Sequence, residues 1–226
     1  MLFLAVFCGF LAEYQLEHII EHQREKKYMQ SLLSDLAADT ATLNYAYPRK
    51  QARINAIDSV FTFFLNNPNV KSITGKLFRT IRRTNYDARF TRTNVTFNQL
   101  KNAGGMRLIR IKEVADSILS YDLRCEQNIL YFELYNTIGQ TGARQIEKLV
   151  YAADLLPYYV TNPTGAIVYN IPDSINIRIN TENLNEQLNF MMQEKAYARQ
   201  DTDQFRIIQA KAEQLMELIK KEYRLK

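Results

Sequence analysis

The chain has little glycine, little proline and almost no histidine. Only seven Gly and five Pro occur in 226 residues. That scarcity favours long helices over many short strands and tight turns. The two histidines, His18 and His22, lie close to the N-terminus. A Ser/His/Asp or Cys/His nucleophilic centre needs a histidine in the folded domain, and none follows His22. No glycine-rich phosphate loop occurs, and Gly104-Gly105 reads better as a helix stop. The two cysteines, Cys8 and Cys125, are far apart and suggest neither a disulfide nor a metal site. No internal repeat and no low-complexity tract is visible. The chemistry of a recognisable enzyme is therefore missing, and the sequence predicts no catalytic residue, no cofactor and no metal.

The charge is unevenly placed. Residues 1–113 hold 17 Lys+Arg against 9 Asp+Glu, and residues 114–226 hold 12 against 15. Within Lys71–Lys112 there are 11 basic residues and one acid, Asp87. Such a block meets anionic lipid, nucleic acid or the acidic second half of its own chain. Its candidate anion-binding residues are Arg79, Arg82, Arg83, Arg89, Arg92, Arg107 and Arg110, interleaved with Phe78, Tyr86, Phe90 and Phe97. Arginine among aromatics suits single-stranded nucleic acid, but an adjacent membrane segment argues against that ligand. The expected partner of the block is the acidic half of the same chain.

The N-terminus organises the rest. Leu2–Ala12 is eleven residues without a charge, short of the roughly 20 that span a bilayer. No basic lead and no small-residue cleavage site accompany it, so a cleaved signal peptide fits poorly. Phe7 stands where a lipoprotein signal needs a small residue before Cys8. The segment reads as a membrane anchor over residues 1–16, with a helical domain over residues 17–226; the alternatives are a buried or frayed amphipathic end, or a natural chain that starts upstream, so that the first part of the span is missing here. From Glu13 the chain turns charged and helix-favouring. Met29, Leu33, Leu36, Leu43 and Tyr47 recur at helical spacing, and Pro48 is expected to end that helix.

Further helices are expected at 51–65, 72–83 and 97–103, the last capped by Thr96 and closed by Gly104-Gly105. Another is expected from Lys112 to Ile138, broken at Gly139 and Gly142, then one more ending at Pro157. Ile175, Ile177 and Ile179 alternate with polar residues, which is a strand period. Two readings stand for 166–180: a small β-hairpin, or an extended loop pinned by its isoleucines. From Thr181 the chain reads as helix to its end. Phe205, Ile208, Ala212, Leu215 and Ile219 form a heptad seam suited to antiparallel pairing with the N-terminal helix. The fold class is thus mainly α, an antiparallel helical bundle with one small β-element.

Two short motifs read as ordinary surface. His18-Ile19-Ile20-Glu21-His22 matches the H-x-x-E-H pattern of inverted zinc peptidases. It abuts the apolar segment on a stalk, with no third ligand nearby. Asp201 and Asp203 read as solvated charges on a helix face.

Leu4–Glu13 with His22–Leu36, and Thr96–Ile109 further on, resemble an uncharacterised family of single-span Bacteroidota proteins. Its members carry an apolar span, a charged stalk and a "Y-L-x-x-L-x-x-D-L" helix, then an "L-x-x-x-G-x-x-x-L-I" turn. The resemblance covers roughly 50 residues. It implies a membrane-anchored, single-pass helical domain outside the cytoplasm, without an established activity. The expected partners are membrane lipid at the N-terminus and a protein or a second copy of the chain, with nucleic acid disfavoured. The functional expectation is a non-enzymatic binding or scaffolding module; the runner-up is a ligand-sensing bundle acting through a separate signalling protein.

Overall fold

The computed structural model describes the backbone of residues 2–85, 87–102, 104–164 and 167–225, and their side chains except at 2–5, 136–144, 167 and 169. It is mainly helical. Three long helices dominate: α1 (Leu2–Asn66), α4 (Lys112–Leu149) and α6 (Thr181–Tyr223). Between the first two lie strand β1 (Ser72–Thr74), α2 (Gly75–Arg83), α3 (Val95–Asn102) and a 3-10 turn, Gly105–Leu108. Between the last two lie α5 (Ala152–Leu155), a 3-10 turn (Leu156–Tyr158) and strands β2 (Tyr159–Thr161), β3 (Ile167–Tyr169) and β4 (Asn176–Arg178). Among the described residues, no helix is long and apolar enough to cross a membrane.

Two sequence expectations about helix ends are corrected. Pro48 does not stop α1, which continues through it to Asn66. Proline costs a helix one i→i−4 hydrogen bond and crowds the carbonyl one turn back. Pro48 and Asn44 are both exposed, so the carbonyl left without its N–H partner can meet water. Gly139 and Gly142 do not break α4. A mid-helix glycine costs only about 1 kcal/mol relative to alanine.

The chain divides into two compact units. The first comprises residues 1–44, 90–127 and 206–226; the second comprises 45–89 and 128–205.

In the first unit, α1 buries Glu25, Met29, Leu32, Leu36, Asp39 and Leu43. That is an unbroken 4-3 alternation with two carboxylates in it. α6 buries Ile208, Ala212, Leu215 and Ile219, the heptad seam read from the sequence. The Tyr223 hydroxyl donates to Glu25 Oε1 at 2.5 Å, and Gln209 donates to Asn44 Oδ1 at 3.1 Å. Partners that rise in number on one helix fall on the other, so the two helices run antiparallel.

The carboxylates of α1 also hold the segment 90–111, which carries α3 and the 3-10 turn. Asp39 accepts from the Thr93 amide at 2.5 Å, Asp35 from the Thr96 amide at 2.9 Å and Glu25 from the Arg110 amide at 2.9 Å. Backbone amides outside a helix, or in its first turn, have no helical partner and need other acceptors, which explains acids in an otherwise apolar seam. Thr96 lies inside α3 and does not cap it as expected. The Asp35 carboxylate serves the helix start from across the unit, where an anion is favoured.

In the second unit, Ile57, Val60, Phe64, Ile73, Phe78, Ile81, Leu149, Ile177, Ile179 and Met191 share one core. The strand period at Ile175–Ile179 is real, but its partner differs from the hairpin expected. β4 pairs antiparallel with β1, placing Ile177 opposite Ile73. β3 pairs antiparallel with β2. Ala166, the start of the expected hairpin, lies outside the described residues. Thr74 caps α2, its hydroxyl accepting from the Leu77 amide at 3.2 Å. A Cβ on Gly75 would come within 1.9 Å of the Pro172 carbonyl oxygen, so only glycine fits where α2 meets that loop.

Candidate anion-binding site

In the second unit α1 buries Ala46, Lys50, Arg53, Ile57, Val60 and Phe64. Two cations thus occupy positions that the 4-3 spacing reserves for apolar residues. Each has carboxylate partners. Lys50 Nζ lies 2.7 Å from Asp87 Oδ1 and 2.5 Å from Asp201 Oδ2. Arg53 lies 3.3 Å from Asp87, pairs with Glu194 and donates through Nε to the Thr84 carbonyl. The Lys50 and Arg53 side chains are 1% and 7% exposed. Burial pushes the Arg53 guanidinium below its ordinary value, against the opposite pull of Asp87 and Asp201. Burial likewise raises the Asp201 carboxyl, and Lys50 opposes that rise. Asp201 is therefore not the solvated charge that the sequence suggested.

A cleft of about 480 Å³ opens over Arg53 and Asp87. From α1, Tyr45, Arg49, Ala52 and Ala56 line one wall; their spacing of 4, 3 and 4 puts them on a single helix face. Thr80 and Arg83 line it from α2, and Asp87, Ala88 and Arg89 from the segment that follows. Four arginines and one carboxylate thus face one space. The Arg49 guanidinium sits 3.4 Å from the centre of the Tyr45 ring and donates to the Tyr45 carbonyl at 3.1 Å. The Arg89 guanidinium lies 4.3 Å from the centre of the Phe132 ring.

The seven arginines singled out in the sequence are not gathered into one site. Arg83 and Arg89 line the cleft. Arg79 pairs with Asp173 and donates to the Ile171 carbonyl, and Arg82 also has an interaction of its own. Arg92, Arg107 and Arg110 belong to the first unit. Arg92 pairs with Asp122 there, with both side chains under 10% exposed. Arg110 lies 3.5 Å from Glu21 and donates to the His18 carbonyl at 3.3 Å. Internal carboxylates thus meet Arg79, Arg92 and Arg110. Tyr86, one of the interleaved aromatics, lies outside the described residues.

Arg107 lines a second cleft, of about 840 Å³, in the first unit. There Arg24, Lys27 and Arg107 face Glu13, Glu17 and Glu21, three bases against three acids, with no surplus for an anion. His22 Nδ1 lies 3.4 Å from Glu25 Oε2 on the same stretch of α1. Among the described residues no group of three or more His, Cys, Asp or Glu could hold a metal ion. Cys8 is exposed and Cys125 buried, both as free thiols. Burial, chiefly, lifts the Cys125 thiol to about 11.

Sequence reasoning missed Lys50, Arg53, Glu194 and Asp201. A signal for them existed. The heptad seam of α6, extended back from Phe205, passes through Asp201, Ala198 and Glu194. The seam of α1, extended past Leu43, passes through Lys50 and Arg53. Charges of opposite sign on two seams are candidates for pairing.

No family model matches the chain, and no curated protein or solved structure is similar to it.

Proposed function

We propose that this chain is a non-enzymatic helical module held at a membrane by the N-terminal end of α1. One observation carries the reading. Val6, Phe7, Phe10, Leu11, Tyr14, Leu16, Ile19 and Ile20 are each at least 40% exposed. A helix that bares so many large apolar side chains has a partner of apolar character. Leu2–Ala12 covers about 17 Å at 1.5 Å per residue, roughly half the hydrocarbon thickness of a bilayer. The charged residues from Glu13 to Lys27 then stand at headgroup level, with the helical remainder outside the cytoplasm. The resemblance to single-span Bacteroidota proteins, with their span and charged stalk, supports the same arrangement.

Flotation of the full chain with phosphatidylcholine vesicles tests the anchor. The wild type is expected to float. The double variant Phe7→Asp, Phe10→Asp is expected to stay at the bottom, since a carboxylate carried into the hydrocarbon costs up to about 2.5–3.5 kcal/mol, depending on depth. Equal flotation of both proteins, or of neither, overturns the reading.

A second reading, a bundle that senses a small ligand and acts through a signalling partner, is favoured by the arginine-lined cleft of the second unit. The anchor and the cleft are compatible.

A further inference from the structure

We infer that the face of α1 bearing Leu16 and Ile19 pairs with the same face of a second copy of this chain, the two helices running parallel out of one membrane. This pairing rests on the anchoring proposed above.

Helix geometry separates this face from the core of its own unit. Gly9, Ala12, Leu16 and Ile19 follow one another at spacings of 3, 4 and 3 along α1. That is the spacing of a seam between paired helices. The side chains that α1 buries in the first unit begin with Glu25, Met29, Leu32 and Leu36. At 3.6 residues per turn, the seam lies about 150° round the helix from them. The core of the unit therefore cannot cover it, and Leu16 and Ile19 are 58% and 54% exposed. Gly9 and Ala12 are exposed as well.

Lipid does not cover it either. Leu16 and Ile19 follow Glu13, so in the anchored chain they stand at headgroup level, beyond the hydrocarbon. The large side chains nearer the N-terminus, Val6, Phe7, Phe10, Leu11 and Tyr14, are exposed on the roughly opposite side of the helix. They keep their lipid contact when the seam is paired. One apolar side thus faces lipid, and the other needs a partner that stands at the same height above the membrane. A second anchored copy does.

Charge permits the pairing. Two copies anchored in one leaflet meet parallel and in register, so each seam residue meets its own counterpart. A charged seam would repel itself. Glu17, Glu21 and Arg24 lie about 100° or more round the helix from the seam centre, and the same spacing next reaches Gln23 and Lys26, where the apolar seam ends. Area sets the strength. Four side chains bury far less than the roughly 800 Å² per partner of a stable interface. Pairing therefore needs the high effective concentration that anchoring supplies.

Disulfide trapping of the full chain on floated phosphatidylcholine vesicles tests this, with copper phenanthroline and air as the oxidant. Every variant carries Cys8→Ser, and Cys125 is buried. Ala12→Cys sets a thiol on the seam; Glu17→Cys sets one about 140° round the helix from it. Ala12→Cys is expected to give a disulfide-linked dimer and Glu17→Cys to stay monomeric. Adding Leu16→Gln and Ile19→Gln to Ala12→Cys is expected to abolish the dimer, with flotation and far-UV circular dichroism unchanged. The pairing is overturned if floated Ala12→Cys stays monomeric, if Glu17→Cys links equally, or if the glutamines leave the link intact. Loss of flotation in the glutamine variant overturns it too, because lipid then covers Leu16 and Ile19. A Cys8→Ser chain that does not float at all overturns the anchor, and the pairing falls with it.

Discussion

Replacing Lys50 by Met removes the ammonium that bridges Asp87 and Asp201 and leaves most of the aliphatic stem in place. The Lys50–Asp201 contact, at 2.5 Å, has a gross attraction of about 7 kcal/mol at an effective dielectric of 20. Desolvation cancels much of that, since each buried ion gives up several kcal/mol of hydration. What the variant exposes is the remainder: Asp201, 9% exposed at its side chain, loses its closest cation. Removing one member of a buried pair costs about 3–5 kcal/mol, against a total stability of about 5–15 kcal/mol. For a chain of this size the melting point should drop by about 6–20 °C. Asp87 keeps Arg53 at 3.3 Å, so the loss concentrates on Asp201. Adding Asp201→Leu should restore most of the stability, because a buried ion pair replaced by apolar side chains is often neutral or better. Urea unfolding followed by far-UV circular dichroism measures both. The burial that already raises the Asp201 carboxyl predicts a further signature: the single-variant penalty shrinks as pH falls and Asp201 takes up a proton. The reasoning is refuted if Lys50→Met costs less than about 1 kcal/mol, or if the double variant is no more stable than the single one.

Asp39 has a pKa raised above 3.8, chiefly by burial. A raised folded-state value means that its stabilising contribution is complete below 3.8 and is lost as pH rises through the folded value. Asp39→Asn should therefore gain stability relative to the wild type as pH rises through that range, measured as paired melting points; a difference that does not change with pH refutes it. Gly75→Ala should destabilise by about 3 kcal/mol or more, because its Cβ would press on a backbone carbonyl that cannot rotate away; unchanged urea unfolding would show that the loop after Ile171 yields. The flotation contrast between the wild type and the Phe7→Asp, Phe10→Asp variant completes the set.

The helical class was legible in the residues. Scarce glycine and proline, and apolar residues at spacings of 3 and 4, leave little alternative to long helices, because that spacing is a local property of the chain. The α6 seam from Phe205 to Ile219 is buried as its heptad implied. Helix ends were less legible. Pro48 and the glycines of α4 are breakers by propensity, but propensity costs a few kcal/mol at most, and packing along a long helix can outweigh it.

The partnerships were not legible at all. The isoleucine alternation revealed a strand, yet β4 found its partner about a hundred residues upstream in β1, and period alone carries no address. Charge composition marked Lys71–Lys112 as a block, and the fold then scattered it. Arg92 went to Asp122, Arg79 to Asp173, and Arg83 and Arg89 to a cleft with Arg49 and Arg53. Local spacing sets which face of a helix is apolar, and so determined the bundle's seams from the sequence by itself. Which buried charge meets which is set by contacts between residues distant in the chain. Only the tertiary structure could decide that Lys50 and Asp201, 151 positions apart, neutralise each other in the interior.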